Sequence, residues 1–155
     1  MMKKLLAIAV ILPALAVSSL AWADNDNDER GNKVGQASMV VSDAITKHEC
    51  SACHMPYPPA LLPARSWKKI MTNLSNHFGE DASLDKKTRI HIERYMMAMA
   101  PRNGGNDSLR ISKQRWFVGT HRGVEARYVG PGKRVQTISN CKACHSGAEK
   151  GWYGE

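Results

Sequence analysis

All four cysteines of this 155-residue chain fall in two copies of one five-residue word, Cys50-Ser51-Ala52-Cys53-His54 and Cys141-Lys142-Ala143-Cys144-His145. Two thiols three residues apart can add to the two vinyl groups of one porphyrin, while the imidazole of the next residue reaches the iron. Cys50, Cys53, Cys141 and Cys144 are therefore expected to attach two haem c groups covalently, with His54 and His145 as the proximal iron ligands. The competing uses of a Cys-x-x-Cys pair are a zinc knuckle, a disulfide or dithiol redox chemistry. A four-thiolate zinc site gives no reason for a histidine to follow the second cysteine, and here one follows in both copies.

The chemistry then depends on the sixth position of each iron. The remaining histidines are His48, His77, His91 and His121, and methionines cluster at Met96, Met97 and Met99. Methionine would raise the potential, and a vacant position would admit a small ligand. His77, on a loop 23 residues after His54, is the first choice for haem 1, with the methionines and His91 as other candidates. His91 lies on the apolar face of its expected helix, where a hydrogen-bonded core histidine is the competing reading; His48 reads as solvated. For haem 2, His121 is the only histidine of the C-terminal part besides His145. A surface role is its alternative. Two histidine pairs make both irons six-coordinate and closed, which implies low-potential electron transfer rather than catalysis.

Around these residues the chain reads as mainly helical. Residues 1–23 form a signal peptide: Lys3 and Lys4, an apolar stretch from Leu5 to Val17, and cleavage after Ala23 at Ala21-Trp22-Ala23. The expected destination is the periplasm, without a stable membrane anchor. An acidic, flexible start covers 24–36. Ala37 to Lys47 reads as a short amphipathic helix entering the first haem motif. Pro56, Pro58, Pro59 and Pro63 exclude regular helix over Met55 to Pro63, and that loop can fold a carbonyl onto Nδ1 of His54. Tyr57, held in the loop, could lie between the two haem edges or simply pack.

From Ala64 the spacing of Trp67, Ile70, Met71 and Leu74 is helical up to His77-Phe78-Gly79. A second helix runs from Leu84 to Ala100, with Ser83 as its N-cap and Leu84, Thr88, His91, Ile92, Tyr95 and Met99 on one face. The flexible Asn103 to Asp107 link divides a haem 1 domain over 37–105 from a haem 2 domain over 106–155. The latter is too short for an ordinary core, so coil and short helices are expected. Trp116, Phe117, Tyr128, Val129, Trp152 and Tyr153 would form the lid of its haem, with a turn at Gly130-Pro131-Gly132.

Without the signal peptide the chain carries 20 basic and 14 acidic residues. Four ionised haem propionates bring the net charge to about +2, so the high basicity does not point to nucleic acid. A basic surface near a haem edge suits an acidic redox partner.

At this level of detail the chain resembles the bacterial dihaem cytochromes c called DHC. The likeness is carried by the run from Cys50 through Met55-Pro56-Tyr57-Pro58-Pro59 to Trp67, and by His77-Phe78-Gly79 through Leu84. Arg110-Ile111, Trp116-Phe117, His121 and the run from Asn140 to Gly151 complete it. Together these blocks span nearly all of the chain after the acidic start. The resemblance implies an N-terminal domain similar to class I cytochrome c and a small C-terminal haem domain of its own kind. His77 and His121 match the family's histidines by position. The partners it implies are a small oxygen-binding monohaem cytochrome c, SHP, as acceptor, and a membrane cytochrome of the b type as donor. The competing functions are an electron-transfer subunit of a periplasmic reductase, or a haem protein with one open iron.

Overall fold

The computed structural model of the protein describes residues 39–154. The expected signal peptide, the acidic start and the first two residues of the expected opening helix lie outside the described residues. Within them the chain is helical, with isolated bridges His77–Glu80 and Val129–Val135 in place of strands. No described helix is long and apolar enough to cross a membrane.

The first helix, α1, spans Ala44–Cys50 rather than starting at Ala37. Its start is set by Asp43, which has extended backbone and whose carboxylate accepts from the Thr46 amide at 2.7 Å and the Thr46 hydroxyl at 2.6 Å. Met39 and Val40 lie outside the helix and close to the C-terminal segment: a Cβ on Gly151 would come within 2.9 Å of Val40 Cγ2.

Helix α2, Ala64–Met71, begins after Pro63 and buries Trp67, Ile70 and Met71 along one stripe. It ends at Thr72, sooner than the apolar spacing suggests, and Leu74 is carried instead by a 3-10 turn, Leu74–Asn76. A 3-10 turn also accommodates the prolines before α2, at Pro59–Leu61. The buried indole of Trp67 donates to the Pro59 carbonyl at 2.8 Å, which pins that loop to the helix.

Helix α3, Lys86–Met99, is capped by Asp85, not Ser83. The Asp85 carboxylate accepts from the amides of Lys87 and Thr88, while the Ser83 amide is occupied with Asp81. Ile92 and Met96, with Ala100 at its C-cap, form its buried stripe against Leu62, Trp67, Ile70, Met71 and Leu74. Leu109 and Ile111, beyond the expected domain link, pack on the same cluster.

That link is held down. Arg65 donates to the Asp107 carboxylate at 2.9 Å, and the fully buried Gln114 accepts from the Asn106 amide and donates to the Ser108 carbonyl. At Gly105, φ is +68° and a Cβ would meet Gln114 Oε1 at 2.9 Å, so glycine is needed both for conformation and for space.

The rest of the chain is coil with two short helices, α4 (Arg115–Thr120) and α5 (Val124–Tyr128), and three 3-10 turns. The turn at Gly130-Pro131-Gly132 is closed by hydrogen bonds between Tyr128, Gly130 and Val135. Buried residues are sparse here, chiefly Gln114, Phe117, Val135 and Ala148.

Ile92, 1% exposed at the centre of the α2–α3 cluster, reports on this packing. Ile92→Ala is expected to cost about 2–5 kcal/mol, read from the denaturant midpoint of the holoprotein, without altering the haem count.

Candidate functional site

The first motif starts at the C-terminal end of α1, where Cys50 is the last helical residue and Cys53 and His54 follow in a turn. His54 Nδ1 lies 2.6 Å from the Met55 carbonyl. A carbonyl can only accept, so Nδ1 carries the proton and Nε2 is left with its lone pair for a metal. The expected loop carbonyl is thus present, supplied by the residue next to the histidine. Tyr57 stacks on the same imidazole, centroids 4.8 Å apart and planes 22° apart.

His77 is presented on a tight turn. Its amide donates to the Glu80 carbonyl at 2.7 Å, Phe78 has φ of +59°, and Gly79 has φ of +112°. Phe78 is the only non-glycine residue with positive φ among the described residues, a strained conformation of the kind that collects at functional sites. The Arg110 guanidinium sits 4.5 Å over its ring. The His54 and His77 rings are 6.1 Å apart with planes at 19°. Burial, and then the neighbouring His54, hold His77 below the usual histidine range, favouring the neutral ring that a metal requires.

Both histidines, with Cys50 and Cys53, line a cavity of about 630 Å³ walled by Leu62, Trp67, Ile92 and Met96. Burial, and then Glu49, push the Cys50 thiol up to about 11. Redox-active and zinc-binding thiols have the opposite tendency. Among the described residues no three histidine, cysteine or acidic side chains gather as a metal cluster.

In the second motif Cys141–Ala143 forms a 3-10 turn, and the His145 amide donates to the Cys141 carbonyl at 2.8 Å. His121 follows α4 directly, with Nδ1 3.0 Å from the Phe117 carbonyl one helical turn back. This ring too is held with Nε2 free. The Phe117 ring stacks on it at 3.9 Å and 12°. His121 and His145 have centroids 6.2 Å apart, but their planes stand at 89°. Tyr153 lies 5.8 Å from His145, and its buried hydroxyl has no protein partner.

These arrangements fit two haem groups. Imidazoles bound to one iron from opposite sides, each nitrogen about 2 Å from the metal, have ring centres roughly 6 Å apart. Both pairs have that spacing, and in each the motif's cysteines lie immediately before one of the two histidines. The cavity of the first site has apolar walls suited to a porphyrin face, and the Tyr153 hydroxyl is available to a group seated at the second.

The other candidates are placed differently. His91 is exposed, not in the core, because its position on α3 faces α1; Nε2 lies 2.9 Å from the Asp43 carboxylate. His48 is exposed. Met96 lines the first cavity, whereas Met97 and Met99 are not part of its lining. Of the expected lid of the second site, Phe117 and Tyr153 contact its histidines, while Trp116, Tyr128 and Trp152 are exposed. Phe117, expected only as part of the lid, also orients His121 through its carbonyl and its stacked ring. Its i, i+4 spacing to His121 was the available signal.

The family model for dihaem cytochrome c, DHC, matches residues 46–153. A crystal structure of DHC purified from Rhodobacter sphaeroides is 49% identical, with a TM-score of 0.60, covering 72% of this chain and 97% of that one. A second structure of the diheme cytochrome c from Rhodobacter sphaeroides is 44% identical, with a TM-score of 0.63 and the same coverage. The diheme cytochrome sb-DHC from Shewanella baltica OS155 is 37% identical, with a TM-score of 0.65, covering 74% of this chain and 89% of that one. No curated protein matches the chain. With both attachment motifs inside the matched residues, the chain belongs to the dihaem cytochrome c family and is an electron-transfer haem protein with two covalently bound haem c groups.

Proposed function

We propose that the protein is a periplasmic electron carrier in which His54 with His77, and His145 with His121, close the two irons. The observation that carries this reading is the spacing of the two imidazole pairs, 6.1 and 6.2 Å between ring centres. Each haem supplies a one-electron ferric–ferrous couple. The polypeptide contributes the covalent anchors Cys50, Cys53, Cys141 and Cys144 and four imidazoles. It holds Nδ1 of His54 and of His121 on backbone carbonyls. Closed irons leave no position for a substrate, and nitrogen rather than thioether ligation favours a low potential.

Export by the N-terminal segment, with cleavage after Ala23, belongs to the same proposal, since c-type haem is attached outside the bacterial cytoplasm. For a partner, the distribution of charge supports an acidic redox protein. Residues 106–154 hold nine lysines and arginines against three acids, close to the second haem. A small oxygen-binding monohaem cytochrome c of the SHP kind is the acceptor that best suits the family, with a membrane b-type cytochrome as donor.

Carbon monoxide tests closure. The fully reduced protein is expected to give no carbon monoxide difference spectrum, whereas His77→Ala and His121→Ala each open one haem to the gas and raise the potential of that haem. An adduct with the parent protein contradicts the reading. The docking surface is tested separately by ionic strength: electron transfer to an acidic partner should slow markedly from low to physiological salt. A salt-independent rate contradicts electrostatic steering.

A further inference from the structure

Phe78, the residue after His77, has φ of +59°, a backbone conformation that glycine adopts freely and phenylalanine does not. Such conformations persist only where the surroundings hold them. Burial is a weak hold here, because Phe78 is 43% exposed. The turn's own hydrogen bonds, from the Phe78 amide to the Asn76 carbonyl and between the backbones of His77 and Glu80, would serve a glycine equally well. What phenylalanine adds is a ring. That ring lies against the His77 imidazole, with centroids 5.0 Å apart, and the Arg110 guanidinium sits 4.5 Å over it.

Arg110 comes from the segment that joins the two haem sites, and its neighbours fix its place. Leu109 and Ile111 pack on the α2–α3 cluster, the Arg110 amide donates to the Ser108 hydroxyl at 3.2 Å, and the Arg110 carbonyl accepts from the Lys113 amide at 3.0 Å. The guanidinium thus projects from an anchored backbone onto the turn that carries the distal histidine. Among the described residues it joins no ion pair that would draw it away from the ring. It is also the only lysine or arginine among the described residues that line the cavity of the first site.

We propose that Arg110 is a positioning residue for haem 1: its guanidinium clasps the Phe78 ring, holds the strained turn closed, and so keeps His77 on the iron and its plane in register with His54. The inference rests on the assignment of His77 as the sixth ligand of haem 1. It explains why the turn uses phenylalanine where glycine would relieve the backbone. It also couples the distal ligand of the first site to the segment that leads into the second.

The test uses holoproteins with both haems attached: the parent, Arg110→Gln, which loses the charge, Phe78→Leu, which loses the ring, and the double variant. Cyanide reaches the ferric iron of haem 1 only after His77 has left, so its apparent affinity follows the open fraction, and the electron paramagnetic resonance signal lost during the titration identifies the haem. In Arg110→Gln the apparent affinity of haem 1 for cyanide rises about two- to fivefold, the span one exposed cation–π contact contributes. The low-spin g values of haem 1 shift as the His77 plane turns, while haem 2 keeps its parental affinity and signal. In Phe78→Leu the affinity of haem 1 rises as well, and adding Arg110→Gln changes nothing further. Parental affinity and g values in Arg110→Gln overturn the proposal. An Arg110→Gln effect undiminished in the Phe78→Leu background also overturns it, because the charge then acts on haem 1 without the ring. If Phe78→Leu does not mature, Arg110→Gln alone decides: a changed midpoint potential with unmoved g values overturns the clasp. Failure of the underlying assignment is distinguishable, because His77→Ala then leaves the low-spin signal of haem 1 in place.

Discussion

Two imidazoles that share one iron must be held with their ring centres roughly 6 Å apart, and a flexible chain does not keep two side chains at such a distance without help. In the first site a backbone carbonyl and the Tyr57 ring orient His54, and a strained turn at Phe78 and Gly79 presents His77. In the second, a helix end presents His121 with its Nδ1 held on the carbonyl one turn back. The order along the chain is reversed between the sites: the histidine of the attachment motif comes first in one pair and last in the other. The two sites are thus separate solutions to one geometric requirement.

The same requirement explains how a small chain remains folded. The α2–α3 cluster is a modest core, and one side of it borders the haem 1 cavity. Beyond residue 110 there are few buried residues, and a polypeptide of that length cannot bury enough apolar surface alone. Two thioether links to each haem, and on the proposed ligation two iron bonds as well, supply what the side chains lack, as metal and covalent staples do in other small domains. Arg65 on Asp107, the Ser66 hydroxyl on the Ser108 carbonyl, and Leu109 and Ile111 packed on the α2–α3 cluster tie the intervening segment to the first core, so the two parts are joined by more than the chain itself.

Much of the site was legible in the sequence because haem attachment demands fixed residue types at fixed spacing. With few histidines available, His77 and His121 could be singled out, and the structure brings each to its motif's histidine. The proline-rich loop was readable for a similar reason, since proline removes donors and fixes dihedral angles whatever the tertiary context. Helix limits were less legible. Ser83 and Asp85 are both good N-caps, and only the folded chain has the Asp85 carboxylate against two helix amides while Asp81 occupies the Ser83 amide. His91 has apolar neighbours in sequence, yet α1 packs so that Asp43 meets it at the surface. The burial of Gln114 has no periodic signature, because it arises from satisfying the Asn106 amide and the Ser108 carbonyl, eight and six residues back in an irregular loop.

The central claim, that each iron is closed by one of these two histidine pairs, is tested most directly by electron paramagnetic resonance of the fully oxidised holoprotein in frozen solution. The account predicts two low-spin ferric signals of equal weight. One is rhombic, from the nearly parallel planes of His54 and His77. The other is strongly anisotropic, dominated by a single large-g feature, from the nearly perpendicular planes of His121 and His145. A high-spin ferric component, or two signals of a single type, would contradict it.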